Sequence, residues 1–366
     1  VRSGTANLPL HSGHAPRWLF ERMVKLSAEI ASWIVIEHGS AELFRRLSDP
    51  VWFQAFGAVI GMDWHSSGVT TIVCGALKQG LQQRQAELGL VVAGGKGRVS
   101  RQTPAELTAA GDWLGLDPAP FVQASRLAAK VDNNALQDGY QIYHHVFLLD
   151  QRGHWAVIQQ GMNDANGYAR RYHWFSDDVQ SFVDSPHSAI ASEATGEVWN
   201  LVAHESDAAR DVTAALAREQ PEKVVAEIVK LRELTLPARH DVQGVDVDPK
   251  RLHRILLKTY ERQPEDFTTL LGMEGVGART LRALSLVGEL VYGAPVSITD
   301  PARFAFAHGG KDRTPYPVDY PTYDHVIQAL HTAVEHAGIG QREQVDALKR
   351  LSQWANAEDA AGGAES

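Results

Sequence analysis

Carboxylates and histidines crowd the first half of the chain in positions that could bind a metal ion or move a proton. Asp63 and His65 lie in a polar interruption, Asp63-Trp64-His65-Ser66-Ser67-Gly68, between two apolar stretches. Asp132, Asp138, His144, His145 and Asp150 follow within one short region, and Gln159, Gln160, Asn163 and His173 come after them. Asp63, Asp138 and Asp150 are hard oxygen donors suited to magnesium or manganese, and such an ion activates water against a phosphodiester. His65 and His144 are the bases that could serve beside them. The same Asp, Gln and Asn side chains could equally form a hydrogen-bonding network that orders the region or contacts bases, or be satisfied polar groups of an ordinary core. His144 and His145 are adjacent, so on a strand they point to opposite faces and cannot share a site. One of them could face Gln159 or Gln160 across a ladder.

A second kind of chemistry is written at residues 270 to 282, Leu-Leu-Gly-Met-Glu-Gly-Val-Gly-Ala-Arg-Thr-Leu-Arg. Gly275, Val276 and Gly277 read as a tight turn between two helices, and Gly takes φ > 0 without steric cost. A helix opening near Ala278, Arg279 and Thr280 would turn unpaired N–H groups and the positive end of its dipole outward, where a phosphate oxygen could bind. From Lys250 to Arg282 the chain has seven Lys or Arg residues against four acidic ones. This stretch resembles a helix-hairpin-helix, the module that holds the DNA backbone without reading bases. Lys96 and Arg98, in the basic run Gly94-Gly95-Lys96-Gly97-Arg98, and Arg171, beside Tyr172 and Trp174, are further candidates for DNA contact.

The elements that must position these groups follow from periodicity. Ala15 to His38 reads as an amphipathic helix stopped by Gly39, and Ser48-Asp49-Pro50 as a helix start. Thr70 to about Glu87 is helical, Gly94 to Arg98 a loop, and Thr103 to Glu106 a capping box. Tyr140 to Leu149 and His154 to Met162 predict a hairpin turned by Asp150-Gln151-Arg152-Gly153, with further strands at Ala169 to Phe175 and Trp199 to Ala203. Helices return over 206–218, 220–234, 249–262, 321–337 and 341–355. The expected fold is α+β and mainly helical: an α+β domain with a small antiparallel sheet over residues 1–205, a helical domain with the helix-hairpin-helix over 206–356, and a flexible tail over 357–366.

Bulk properties narrow the class. The chain has 366 residues, 44% hydrophobic and 22% charged, with a formal net charge of −9. That charge argues against a protein that coats nucleic acid and leaves room for a local basic track. The one cysteine, Cys74, excludes an internal disulfide and a cysteine-ligated iron–sulfur cluster. No apolar run approaches the roughly 18 residues of a membrane span, and the start has no signal-peptide core. A cytoplasmic setting without a membrane is expected.

Several longer strings resemble a bacterial and archaeal family known as domain of unknown function 763. They include Gly4-Thr5-Ala6-Asn7-Leu8-Pro9-Leu10-His11, Ser48-Asp49-Pro50-Val51-Trp52-Phe53-Gln54, Gln137-Asp138-Gly139-Tyr140-Gln141-Ile142-Tyr143-His144-His145 and Arg170-Arg171-Tyr172-His173-Trp174. The resemblance covers the N-terminal two thirds and brings no activity with it. Residues after the turn also resemble the helix-hairpin-helix DNA glycosylases, in which a Gly-x-Pro bend is followed five residues on by a catalytic aspartate. Gly293-Ala294-Pro295 and Asp300 keep that interval. Arg279 stands where bifunctional members of that family carry a Schiff-base lysine, and arginine does not give up its proton. Asp300 has a second explanation as the cap of a helix starting at Asp-Pro.

The expected function is therefore DNA binding in repair or processing, through a metal-dependent nuclease. The alternatives are a monofunctional glycosylase using Asp300 and a non-catalytic DNA-binding scaffold. DNA is the expected partner; a helicase or repair protein, or a second copy of the chain, fits the same picture.

Overall fold

The computed structural model describes residues 16–62, 68–192, 195–232, 248–302 and 320–362. The chain opens with α1 (Arg17–His38), α2 (Ser40–Leu47), α3 (Pro50–Ile60), α4 (Gly68–Leu81) and the short α5 (Gln85–Leu88). Every residue of α3 is buried, and Asp49 starts it: its carboxylate accepts from the Val51 and Trp52 amides while Pro50 fills the first position, which needs no amide donor.

Next come β1 (Leu90–Lys96), α6 (Thr103–Leu114), α7 (Ala119–Lys130), β2 (Leu136–Gln137), β3 (Gln141–Asp150), β4 (Trp155–Asn163), β5 (Tyr168–Phe175), β6 (Ala189–Ala191) and β7 (Trp199–Asn200). The hairpin and the third strand form as the alternation predicts. β1 was not expected; residues 94–96 read as loop. Leu90 to Lys96 instead pairs antiparallel with Asp150 to His144, giving a five-stranded sheet in the order β1-β3-β4-β5-β6. Gly94 allows this approach: at φ +89° an added Cβ would stand 2.3 Å from the His145 carbonyl oxygen. The expected capping box also differs. α6 starts at Thr103, but the Glu106 carboxylate accepts from the Gly94 amide at 2.8 Å and from Lys78 Nζ at 2.6 Å, so it ties helix to strand. The strand expected at 199–203 is only the two-residue β7, paired with β2 apart from the main sheet.

The remaining helices are α8 (Asp207–Leu216), α9 (Pro221–Arg232), α10 (Pro249–Arg262), α11 (Phe267–Gly272), α12 (Ala278–Tyr292), α13 (Tyr320–His336) and α14 (Gln341–Gly362). α14 continues past residue 356, where the tail was expected to begin. Helices cover both faces of the sheet. One core joins Val92, Val146, Ile158 and Ala169 to α1–α4 and to Leu330, Ala333, Ala347 and Leu351 of α13 and α14. The other joins Ala93, Phe147, Val157 and Trp174 to α6–α12. Both cores thus run across residue 205. The fold is mainly helical α+β, and no described helix is long and apolar enough to cross a membrane.

Candidate nucleic-acid interface

α11, the turn 273–277 and α12 form a helix pair held firmly from behind. Asp266 caps α11 by accepting from the Thr269 amide at 2.7 Å. Val276 is buried in the second core, and the Thr280 side chain is buried as well. Lys130, at the end of α7, donates to the carbonyl oxygens of Met273 (2.6 Å) and Val276 (3.1 Å), and Gln137 Nε2 donates to the Ala278 carbonyl at 2.9 Å. Gly272, Glu274, Gly275 and Arg279 face solvent. The two glycines differ in kind. Gly275 has φ +87°, whereas Gly277 is extended at φ −137°, ψ −177°, and an added Cβ there would meet only Asn134 Oδ1 at 3.8 Å. The expected positive φ is therefore found at Gly275 alone. Gly277, at the N-cap of α12, has no side chain with which to cap it. Thr280 can offer its backbone but not its hydroxyl to a ligand.

α10 borders the turn. Leu252, Leu256 and Thr259 are its buried positions, while Arg251, Arg254, Lys258 and Arg262 are exposed. Their spacings of three, four and four residues place these cations within a sector of about 80° on one helix face. None of the four makes an ion pair among the described residues. Ile255 lies beside that sector and its Cγ1 would be 3.9 Å from a Cβ at Gly275. The stripe therefore runs alongside the turn. Arg282 does not join it: its guanidinium stacks 3.7 Å from the Trp199 ring centroid, where burial lowers its pKa to about 10.

Two expected catalytic carboxylates meet around an arginine. Arg170 Nη1 donates to Asp138 Oδ2 at 2.9 Å and to Asp300 Oδ1 at 3.1 Å, and Nη2 donates to Asp300 Oδ2 at 2.8 Å. Asp138 also accepts from the Tyr172 hydroxyl (2.7 Å) and the Tyr140 amide (3.1 Å), and Asp300 from the amides of Gly196 (3.2 Å) and Ala302 (2.9 Å). Burial raises the pKa of Asp138 against the opposing pull of Arg170 and Tyr172. Burial works against the Arg170 charge, but Asp138 and Asp300 outweigh it and hold its pKa above the ordinary value. Asp300 thus spends its carboxylate on joining the segment after α12 to β5.

Asp150 lies elsewhere. It ends β3, about 30 Å of strand away from the β3 start near Asp138. Its Oδ1 accepts from the amides of Arg152 and His154, both at 2.9 Å, and its Oδ2 from Ser40 Oγ at 2.5 Å and His154 Nδ1 at 3.0 Å. It builds the hairpin turn and fastens it to α2. One ion cannot take both Asp138 and Asp150, and the described residues contain no group of three or more His, Cys, Asp or Glu placed to hold a metal. Asp63 and His65 lie outside the described residues.

The histidine pair divides as strand geometry requires. His145 faces Gln159 across the ladder, with Nδ1 2.8 Å from Gln159 Oε1 and Nε2 2.8 Å from Ser125 Oγ. Gln159 Nε2 in turn donates to Asp132 Oδ2 at 2.5 Å, and Asp132 also accepts from Trp174 Nε1 at 3.0 Å. A carboxamide orients but does not relay protons, so this chain of contacts fixes side chains. His144 is buried on the other face, and burial lowers its pKa to about 3. Lys96 and Arg98 are exposed at the end of β1 and in the following turn. Arg171 is fully buried, so it cannot meet a nucleic acid at the surface as expected; β5 carries Arg170 and Arg171 into opposite cores. Sequence reasoning missed Lys130 and the joining role of Arg170. A strand covered by helices on both faces leaves no solvent face, and no local signal in the sequence marks it.

The family described as Protein of unknown function (DUF763) matches residues 4–318. The chain belongs to that family. The matched region of the family includes α10, the turn and Asp300. Comparison with curated proteins and with solved structures gives no match.

Proposed function

We propose that this chain binds the phosphate backbone of DNA and serves in DNA repair or processing. The observation that carries it is the stripe Arg251–Arg254–Lys258–Arg262, without an ion pair among the described residues, running beside the exposed turn at Gly275. A phosphodiester laid along α10 would meet guanidinium and ammonium groups in sequence, with the positive end of the α12 dipole beside that track. The likeness of residues 270 to 282 to a helix-hairpin-helix supports the same ligand. A net charge of −9 fits a protein whose affinity comes from one local track. Contacts of this type position a duplex without specifying sequence. Asp138, Asp150 and Asp300 each bind neighbouring protein donors, which favours binding over cleavage as the function of the described residues. The test is equilibrium binding of a short duplex by the full chain and by an Arg254→Ala, Lys258→Ala variant. Weaker binding to every sequence alike supports the proposal; equal affinity in a folded variant contradicts it.

A further inference from the structure

A line of polar side chains crosses the face of the sheet that packs on α3 and α4. Register sets Lys96 opposite His144, His144 opposite Gln160, and Gln160 opposite Arg171. The same face otherwise presents Val92, Val146, Ile158 and Ala169. A bulge between Ile142 and His144 brings Tyr143 to the line, where its hydroxyl accepts from Gln160 Nε2 and its ring lies 5.8 Å from Lys96 Nζ. Thr70 of α4 donates to Gln160 Oε1.

Two members of this line are unlike ordinary core groups. Arg171 is 0% exposed, and its contacts are neutral: Gln54 Oε1 at 3.3 Å, His173 Nε2 at 2.8 Å, Thr70 Oγ1 at 3.5 Å and the Phe53 ring at 4.5 Å. No carboxylate among the described residues pairs with it, whereas its neighbour Arg170 has two. His144 is 1% exposed, and neither ring nitrogen has a hydrogen-bond partner. Buried polar groups are nearly always satisfied, and a bound ion is one explanation for an exception. Lys96 stands exposed at the end of the line.

We propose that this row is a binding site for a small oxyanion of the phosphate type, entering past Lys96. Lys96 at the mouth of the row, with no acid in the row among the described residues, matches an anionic ligand. His144 in its neutral form offers one N–H donor and the Tyr143 hydroxyl another. Arg171, on β5, lies two strands beyond His144, about 10 Å across the sheet, and does not touch the ligand. The ligand would supply the acceptor that His144 lacks. The site lies on the sheet, away from the stripe on α10, and stands independently of DNA binding there.

The test is calorimetric titration of the full chain with inorganic phosphate at constant ionic strength, beside Lys96→Ala and His144→Leu. Lys96 is exposed, and His144→Leu removes an unsatisfied group, so both variants should fold; their melting curves check this. The expected result is saturable binding of one phosphate per chain, weakened at least tenfold in each variant. No saturable binding in the unaltered chain, or equal binding by folded variants, overturns the site. A second titration identifies the source of the phosphate. If a 5′-phosphorylated oligonucleotide displaces phosphate and its 5′-hydroxyl counterpart does not, the site takes a nucleic-acid end. If neither displaces it, the ligand is a free phosphate.

Discussion

Lys130 places its ammonium group on the carbonyl oxygens of Met273 and Val276, at 2.6 and 3.1 Å. An α7 side chain thereby closes the turn between α11 and α12, and the exposed edge at Gly275 is held rigid from the inside. Charge-assisted hydrogen bonds of this kind contribute about 1.5–3 kcal/mol. Lys130→Met should destabilise the chain by roughly that amount, measured by urea denaturation, and should weaken DNA binding further by loosening the turn. Unchanged stability would show that the two carbonyls are equally well solvated without it.

The two turn glycines should respond differently. Gly275 sits at φ +87°, so Gly275→Ala should cost about 1–2 kcal/mol. Gly277 is extended, with room for a Cβ; Gly277→Ala should change stability by less than about 0.5 kcal/mol. Equal losses at both positions would contradict this geometry.

Asp138 and Asp300 share Arg170, and all three side chains are buried. Removing one partner from such a set leaves an uncompensated charge, typically costing about 3–5 kcal/mol. Asp300→Asn should lower the urea midpoint accordingly, and any loss of function should track the loss of folded protein. A fully stable Asp300→Asn protein that had lost an activity would instead assign the aspartate to chemistry.

His144 gives a pH signature with a definite sign. Burial lowers its pKa to about 3 from an ordinary 6.5. The unfolded chain therefore takes up a proton there before the folded chain does. The stability tied to the neutral imidazole is complete above about pH 6.5 and is lost progressively as pH falls toward 3. Between pH 7 and pH 5 this amounts to about 2 kcal/mol. His144→Leu should lose correspondingly less stability over that interval than the unaltered chain; an identical pH dependence would mean that the ring titrates alike in the folded and the unfolded chain.

The parts legible in the sequence are those set by local pattern. Alternation in Tyr140–Leu149 and His154–Met162, with Asp150-Gln151-Arg152-Gly153 between them, specified β3, β4 and their turn. Asp49-Pro50 specified the start of α3. β1 escaped because Gly94 and Gly95 read as a loop, and their strand conformation depends on close approach to β3, a contact remote in sequence. The Arg170-Arg171 pair read as surface charge because nothing local says that helices cover both faces of the sheet. Asp138 and Asp300 were singled out separately for different chemistries. That Arg170 joins them is a property of packing between β5 and the segment after α12, and no spacing rule encodes it. The basic residues of α10 were visible as a count, while their alignment beside Gly275 needed the fold.

The central claim is that the stripe on α10 holds DNA phosphates. The direct measurement is the salt dependence of duplex affinity for the unaltered chain and for the Arg254→Ala, Lys258→Ala variant. Each phosphate contact contributes about −0.9 to the slope of log K against log salt. Loss of two contacts should make the slope shallower by about 2 and weaken binding evenly across unrelated sequences. A folded variant with the same affinity and the same slope would contradict the claim.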